Sequence, residues 1–358
     1  MKKPLKLTIH RMELPREVIV GEGSLDLVSD VCTKLGLSKR VLLITGTTTM
    51  HVAGQKVINL LRNEGAEVDC HIVSSNYPTL EDVRQCEEKI RELRPQVVLG
   101  VGGGAKIDIA KLSAARQGIP FISVPTTASH DGMASPFASV KGLERPYSVT
   151  ARSPIAVIAD INVIINVPYR FVASGCGDVL AKFTSTSDWK LAYLKRNEYY
   201  AEYAASLALL SAQHVVDHAD LIKPGSKEGL RVLLEALVSC GVAMCIGGTS
   251  KPCSGSEHLF SHALDLITSR HALHGEQCGL GSIMMAYLHG LPWEKIRNTL
   301  QKVGAPVTAK EIGINQEHIV KALVMASSIR PERYTILNER PLTLESAYEL
   351  ARKTGVID

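Results

Sequence analysis

The sequence predicts a fold in two parts, a doubly wound parallel α/β sheet over residues 1–165 and an all-α half over residues 166–358. Up to about residue 165, short β-branched apolar runs alternate with amphipathic stretches, the pattern of a parallel sheet with crossover helices. Beyond that point the β-branched runs give way to segments rich in Ala, Leu, Ser and Glu at helical spacing. A chain of 358 residues is also about two domains long.

Strands are expected near 40–46, 67–73, 96–103, 120–125 and 155–160, where Val, Ile and Leu cluster between turn residues. Helices are expected between them near 50–64, 79–93 and 105–117. In the second half the spacing predicts helices near 169–196, 198–220, 227–246, 256–268, 276–290, 292–303, 315–328 and 342–354. Residues 162–174 join the halves as the expected hinge, and a cleft between halves is the default place for a ligand.

Charge and cysteine usage narrow the function classes. Forty basic residues stand against thirty-six acidic ones with no Lys/Arg run beyond a pair, so no electrostatic footprint for nucleic acid is present. Residues 1–7 carry charge with no apolar stretch behind them. The most apolar later stretch, around 236–248, reads as too short and too broken by Gly and Cys to span a bilayer, and a cytoplasmic protein is expected. The eight cysteines lie at irregular intervals without a Cys-x-x-Cys pair, which argues for reduced thiols rather than a disulfide framework or zinc knuckle. Cys176 and Cys278 stand near Asp178 and His274, where a thiol can be a soft ligand or a nucleophile, although small buried filler is the plainer account.

Chemistry concentrates in four places. Gly102, Gly103 and Gly104 follow a strand and open a helix at Ala105, with Asp108 one turn in. Such a loop brings backbone amides and a helix N-terminus to a pyrophosphate, though alone it reads equally as a tight turn. The next strand runs into a loop dense in hydroxyls, with Thr126, Thr127 and Ser129 suited to ribose or phosphate and Asp131 to a substrate hydroxyl. His258 and His262 stand i, i+4 and share a helix face. With Asp178 and His274, His258 gives two imidazoles and a carboxylate, a three-ligand set that leaves a divalent ion open to substrate. Gly175, Gly177, Gly255 and Gly275 flank these candidates and allow close approach.

Neighbouring groups receive roles by the same logic. His262 can face the pocket without ligating and donate to a substrate oxygen or move a proton. Lys182 and Lys251 are candidate anion binders, with solvation the simpler account of Lys251. Glu257 and Glu276 can be ligands or partners that support the ligands, with solvated helix charges the simpler account.

The order Gly-Gly-Gly to Asp108, Pro-Thr-Thr-Ala-Ser-His-Asp at 125–131, Gly-Asp-Val-Leu-Ala-Lys at 177–182, Ser-Gly-Ser-Glu-His-Leu-Phe-Ser-His at 254–262 and His-Gly-Glu at 274–276 resembles the superfamily of glycerol dehydrogenases, iron-type alcohol dehydrogenases and dehydroquinate synthases. Within it the chain is most similar to the archaeal sn-glycerol-1-phosphate dehydrogenases. Iron-type enzymes carry His where Lys182 stands, dehydroquinate synthases carry Glu where Asp178 stands, and simple glycerol dehydrogenases space their helix histidines by three rather than four.

The resemblance implies a dehydroquinate synthase-like fold, a Rossmann-like α/β half followed by an all-α half. It implies that Gly102, Gly103, Gly104, Ala105, Lys106, Ile107, Asp108, Thr126, Thr127, Ala128, Ser129 and Ser135 bind NAD(P)H. Asp178, His258 and His274 would hold Zn²⁺, with Ni²⁺ or Fe²⁺ as alternatives, and Asp131, Asp178 and His262 would bind substrate. The catalytic candidates are Asp131, His262 and Lys182. The implied reaction is reduction of dihydroxyacetone phosphate, a small phosphorylated triose, to sn-glycerol 1-phosphate, the backbone unit of archaeal membrane lipids, by a homo-oligomer. Free glycerol is the rival substrate, and a dinucleotide- and metal-binding subunit without turnover is the rival from another class. Since Gly-Thr-Thr-Thr from Gly46 offers no carboxylate to repel a 2′-phosphate, both NADH and NADPH are expected as cofactors.

Overall fold

The computed structural model describes residues 10–75, 77–140, 147–268 and 272–358, so the charged opening at residues 1–7 lies outside the described residues. Its first half is built on β1 (Glu17–Gly21), β2 (Arg40–Thr45), β3 (Glu67–Ile72), β4 (Val97–Gly102), β5 (Phe121–Pro125) and β8 (Ala156–Asp160), with a small β6 (Phe137–Val140) and β7 (Tyr147–Thr150) ribbon. The helices of this half are α1 (Val28–Lys34), α2 (Thr47–Thr49), α3 (Gln55–Asn63), α4 (Leu80–Leu93) and α5 (Gly104–Arg116). All six long-sheet strands run parallel in the order β1-β8-β5-β4-β2-β3. Strand β2 pairs with β3 on one side and β4 on the other, so the winding direction reverses between β2 and β4. Ligands of open α/β sheets bind at such a point, off the carboxyl ends of the strands.

The second half is helical: α6 (Ile161–Ile164), α7 (Arg170–Leu180), α8 (Lys182–Arg196), α9 (Glu202–Asp217), α10 (Lys227–Gly247), α11 (Ser256–Ile267), α12 (His274–His289), α13 (Trp293–Lys302), α14 (Gln316–Ile329), α15 (Ile336–Glu339) and α16 (Leu344–Lys353). The expected strands and helices fall within a few residues of these bounds, with one division: the stretch 169–196 is two helices that meet at Ala181. Helix α10 is longer than its apolar centre suggested and meets the length and composition of a membrane span, yet 72% of that stretch is buried inside the protein. It is the middle of the helical core, where Leu233, Leu237 and Cys240 pack with residues of α7, α9 and α11.

Strand β4 is buried along its whole length, as both faces of a doubly wound sheet require. One face packs Leu99 and Val101 with Val57 and Leu61, and the other packs Val98 with Ile109 and Phe121. Thr45 at the end of β2 donates from Oγ1 to the Val101 carbonyl at 2.7 Å, which ties the two strands together where the winding reverses.

Candidate active site

The carboxyl ends of β4 and β5 open on a cleft of ≈ 550 Å³ that is lined from both halves of the chain. Gly103, Gly104, Ala105, Lys106, Thr126, Thr127, Ser129 and Ser135 line it from the sheet side, and His258, His262 and His274 line it from the helical side, with Asp131. Helix α5 begins at Gly104 beside this cleft. The Lys106 and Ile107 amides are bonded to the Gly103 carbonyl, which leaves the amides of Gly104 and Ala105 to suit an anionic ligand. A β carbon on Gly104 would lie 1.7 Å from His130 Nε2, so the imidazole of His130 sits over this position and would have to move for any larger residue.

Other residues of these loops offer the cleft no free side chain. Ile107 and Ala128 are buried apolar side chains, and any part they take in binding is through the main chain. Asp108 lines the cleft, but its oxygens are in use: Oδ1 lies 3.1 Å from Lys111 Nζ and Oδ2 accepts from the Ser139 amide at 2.9 Å. Lys111 is fully buried and also donates to the carbonyls of Gly132 and Phe137, each at 2.6 Å. A buried lysine with three acceptors is a strut, and this one holds the loop that carries Asp131.

On the helical side, glycines set the distances between helices. A β carbon on Gly177 would lie 2.1 Å from the Gly275 carbonyl oxygen, and one on Gly275 would lie 1.8 Å from the Ser174 carbonyl oxygen. Helices α7 and α12 therefore meet backbone to backbone, which puts Asp178 and His274 in one site. Arg170 reinforces this pairing through a two-pronged bond to buried Glu276, at 2.5 and 2.7 Å. Gly255 does the same for α11, because a β carbon there would lie 2.6 Å from Asp188 Oδ2. Asp188 Oδ2 in turn accepts from the Ser256 amide and hydroxyl at 2.7 and 2.6 Å.

These contacts bring the three ligand candidates together. His258 Nε2 stands 3.7 Å from Asp178 Oδ1, and the rings of His258 and His274 are 4.9 Å apart between centroids. The other nitrogen of His258, Nδ1, is bonded to Glu257 Oε1 at 2.7 Å, which fixes the ring and leaves Nε2 toward the site. Glu257 is fully buried rather than solvated, with further bonds from Thr184 Oγ1 at 2.7 Å and the Gly255 amide at 2.6 Å. Cys278 Sγ lies 3.5 Å from His274 Nε2, and ligand atoms of His258, His274 and Cys278 fall within 4.8 Å of one another.

Charge separates the carboxylate from the thiol. Burial raises the Asp178 pKa, but Lys182, His274 and His258 outweigh it and hold the group below the usual carboxylate range. Burial, with Asp178 and Glu257 adding to it, pushes the Cys278 thiol well up. An ionised carboxylate is ready to bind a divalent ion beside imidazole nitrogens, whereas the thiol must first release its proton. Burial is also the largest cause that brings His274 down to about 3 and His262 well below its ordinary value, which leaves both of these rings neutral near pH 7.

Lys182 is wholly buried, with Nζ 2.8 Å from Asp178 Oδ1, 2.8 Å from Asp131 Oδ2 and 3.4 Å from the Cys253 carbonyl. A lysine ammonium has three N–H groups, and three oxygens already surround this one. It therefore joins Asp131 to Asp178 rather than reaching for a substrate anion, as the sequence suggested. Asp178 Oδ2 also accepts from the Asp131 amide at 2.7 Å. Lys251, by contrast, pairs with Glu198 away from these groups. Sequence reasoning missed Lys111, Asp188 and Arg170, since a lone charge on an amphipathic helix carries no sign of burial.

Comparison with known proteins places the chain in a family. Residues 19–168 match the model of the iron-containing alcohol dehydrogenase family. Two relatives called glycerol-1-phosphate dehydrogenase (NAD(P)+), from Methanosarcina mazei and Pyrococcus furiosus, are each 50% identical to this chain, cover 99% and 98% of it, and are themselves covered over 100% of their length. Among solved structures, glycerol dehydrogenase from Schizosaccharomyces pombe superposes with a TM-score of 0.79 at 19% identity, over 97% of this chain and 90% of that one. An iron-containing alcohol dehydrogenase from Thermotoga maritima gives a TM-score of 0.71 at 18% identity, over 97% and 99%. These two show the shared fold, and identity at half of all positions over nearly the whole length shows more: the chain belongs to the glycerol-1-phosphate dehydrogenase family.

Proposed function

We propose that this protein reduces dihydroxyacetone phosphate to sn-glycerol 1-phosphate with NADH or NADPH, using a divalent ion held by Asp178, His258 and His274. The observation that carries this reading is the single cleft lined both by the α5 N-terminus with its glycine and hydroxyl loops and by the histidine cluster. Dinucleotide and ketone then meet in one cleft. Zn²⁺ is the ion we assign, with Ni²⁺ or Fe²⁺ compatible with the same donors.

The bound ion supplies a Lewis acid that polarises the substrate ketone. The chain's own groups do the rest. The α5 amides, Thr126, Thr127, Ser129 and Ser135 hold the dinucleotide so that its nicotinamide faces the substrate carbon. Asp131 and Asp178, clamped by Lys182, present carboxylate oxygens to the substrate hydroxyl. Burial first, with the Arg330 and Arg333 charges adding to it, holds His262 well below its ordinary value, so it orients a substrate oxygen by a hydrogen bond and is not a standing imidazolium. Glu257 keeps the His258 ring in place.

Two further properties belong to this reading. All eight cysteines are free, which supports the expected cytoplasmic setting. Helix α9 leaves Tyr203 and Leu210 72% and 65% exposed on one face, which supports a homo-oligomer. The test is oxidation of NADH and NADPH with dihydroxyacetone phosphate beside unphosphorylated dihydroxyacetone, before and after chelation, with the product's chirality assigned. Chelator-sensitive formation of sn-glycerol 1-phosphate is expected, and faster turnover of the unphosphorylated ketone would move the assignment to free glycerol.

A further inference from the structure

Behind the Ser250 and Ser254 wall of the cleft stands Arg333, a half-buried side chain in the turn between α14 and α15. Its Nη2 donates to Ser250 Oγ at 2.8 Å and its Nη1 to the Ser254 carbonyl. A guanidinium has five N–H groups, so three are left with no partner among the described residues. No carboxylate lies within ion-pairing distance of Arg333 among the described residues either. Burying a cation without a paired anion is costly, and proteins that do so ordinarily bring the anion with a ligand.

The surroundings sharpen this into a positively charged end of the cleft. Arg333 is brought down to about 10, by burial first and then by the Arg330 charge, and the carboxylates of Glu257, Glu332 and Asp188 oppose that direction without reversing it. The charges of both arginines reach His262, which lines the cleft beside the ligand candidates. Lys182 and Lys111, the fully buried lysines near the site, are surrounded by protein oxygens.

We infer that Arg333, seconded by the charge of Arg330, recognises the phosphate of the substrate, with Ser250 and Ser254 holding the guanidinium in place. The inference rests on the reaction proposed above and names the part of the chain that separates a phosphorylated triose from a free one. A planar fork with three open N–H groups matches a phosphate dianion, and a cleft end that has desolvated the cation strengthens the pairing.

The experiment uses the metal-loaded protein and its Arg333→Met and Arg333→Lys variants, with metal content and thermal unfolding recorded to show that each is folded. The ratio of kcat/KM for dihydroxyacetone phosphate to that for dihydroxyacetone is expected to fall roughly 10- to 100-fold in Arg333→Met, the size of one lost charge-assisted bond, and less in Arg333→Lys. Inorganic phosphate, added to protein saturated with NAD+ so that the dinucleotide site is filled, is expected to raise the unfolding temperature of the parent and not of Arg333→Met. An unchanged ratio in a folded variant would overturn the assignment and leave the reaction standing. If the parent fails to reduce dihydroxyacetone phosphate, the reaction is wrong, and the phosphate-dependent stabilisation then decides by itself whether Arg333 is an anion site.

Discussion

Gly177 and Gly275 touch through their backbones, with the place of a Gly177 β carbon only 2.1 Å from the Gly275 carbonyl oxygen. That contact sets the distance between the helices carrying Asp178 and His274, so a methyl group at either glycine must push two site residues apart. Gly177→Ala and Gly275→Ala are expected to lose about 1–3 kcal/mol of stability through overpacking. They should also lose metal in proportion. Thermal unfolding together with metal content by mass spectrometry checks this, and a stable alanine variant with full metal occupancy would remove the glycines from the account of the site.

The ligand candidates were readable because each leaves a local signature: a flanking glycine, an i, i+4 histidine pair, or a strand followed by small residues. The sheet was readable because buried parallel strands are nearly continuous Val, Ile and Leu. Strand β1 was not, since Glu-Val-Ile-Val-Gly is a five-residue edge strand with partial exposure. Nor was the break at Ala181, where apolar and polar positions continue in phase through two helices. Glu257 shows the limit most clearly. A glutamate in the first turn of a helix reads as a favourable solvated charge, and only the packing of α8 against it reveals a buried group with three donors.

That burial gives Glu257 a measurable task. Its Oε1 bond to His258 Nδ1 fixes both tautomer and ring orientation, so Glu257→Gln should keep the ligands and weaken the metal. A loss of roughly 10- to 100-fold in affinity is expected for removing such an orienting carboxylate. Competition against a chromophoric chelator measures it, and an affinity within about twofold of the parent would show that the carboxylate does not orient the ring.

Lys182 couples two carboxylates that otherwise repel. Replacing it with Gln or Met leaves Asp131 and Asp178 buried side by side with one cation fewer, and breaking a buried pair in this way costs about 3–5 kcal/mol. Lys182→Arg is not a rescue, because a planar fork does not reproduce a compact ammonium among three oxygens. Denaturant unfolding of the three variants tests the point, with turnover followed in those that remain folded. A Lys182→Met protein as stable as the parent would show that the two aspartates do not need the bridge.

Acid should loosen the metal-free protein through its histidines. His262 and His274 are held below the ordinary imidazole value, chiefly by burial, with His274 at about 3. The unfolded chain binds their protons near pH 6.5 and the folded protein does not. Their contribution is therefore complete above about pH 6.5 and is lost as pH falls toward 3, at up to ~1.4 kcal/mol per pH unit for each histidine that titrates fully between the states. Unfolding midpoints in chelator between pH 7.5 and 5 should fall with pH and flatten in a His262→Gln, His274→Gln double variant. A midpoint independent of pH in the parent would mean that neither ring is neutral in the fold.

Cofactor choice follows from what stands at the end of β2. The chain there runs Gly46, Thr47, Thr48, Thr49, with Thr49 Oγ1 accepting from the Gly46 amide at 2.8 Å and donating to Thr45 Oγ1 at 2.8 Å. Thr48 and Thr49 line the cleft beside Lys106, whose amine is turned to the Ser75 carbonyl. Hydroxyls here accept either a ribose hydroxyl or a 2′-phosphate, and no side chain of this turn carries the negative charge that rejects NADPH. Steady-state kinetics with both cofactors should give kcat/KM values within roughly a hundredfold of each other, the span that a missing contact of 1–3 kcal/mol can produce. A larger preference for NADH would require a carboxylate near the 2′ position that this turn does not supply, and Thr48→Asp should create that preference where the parent lacks it.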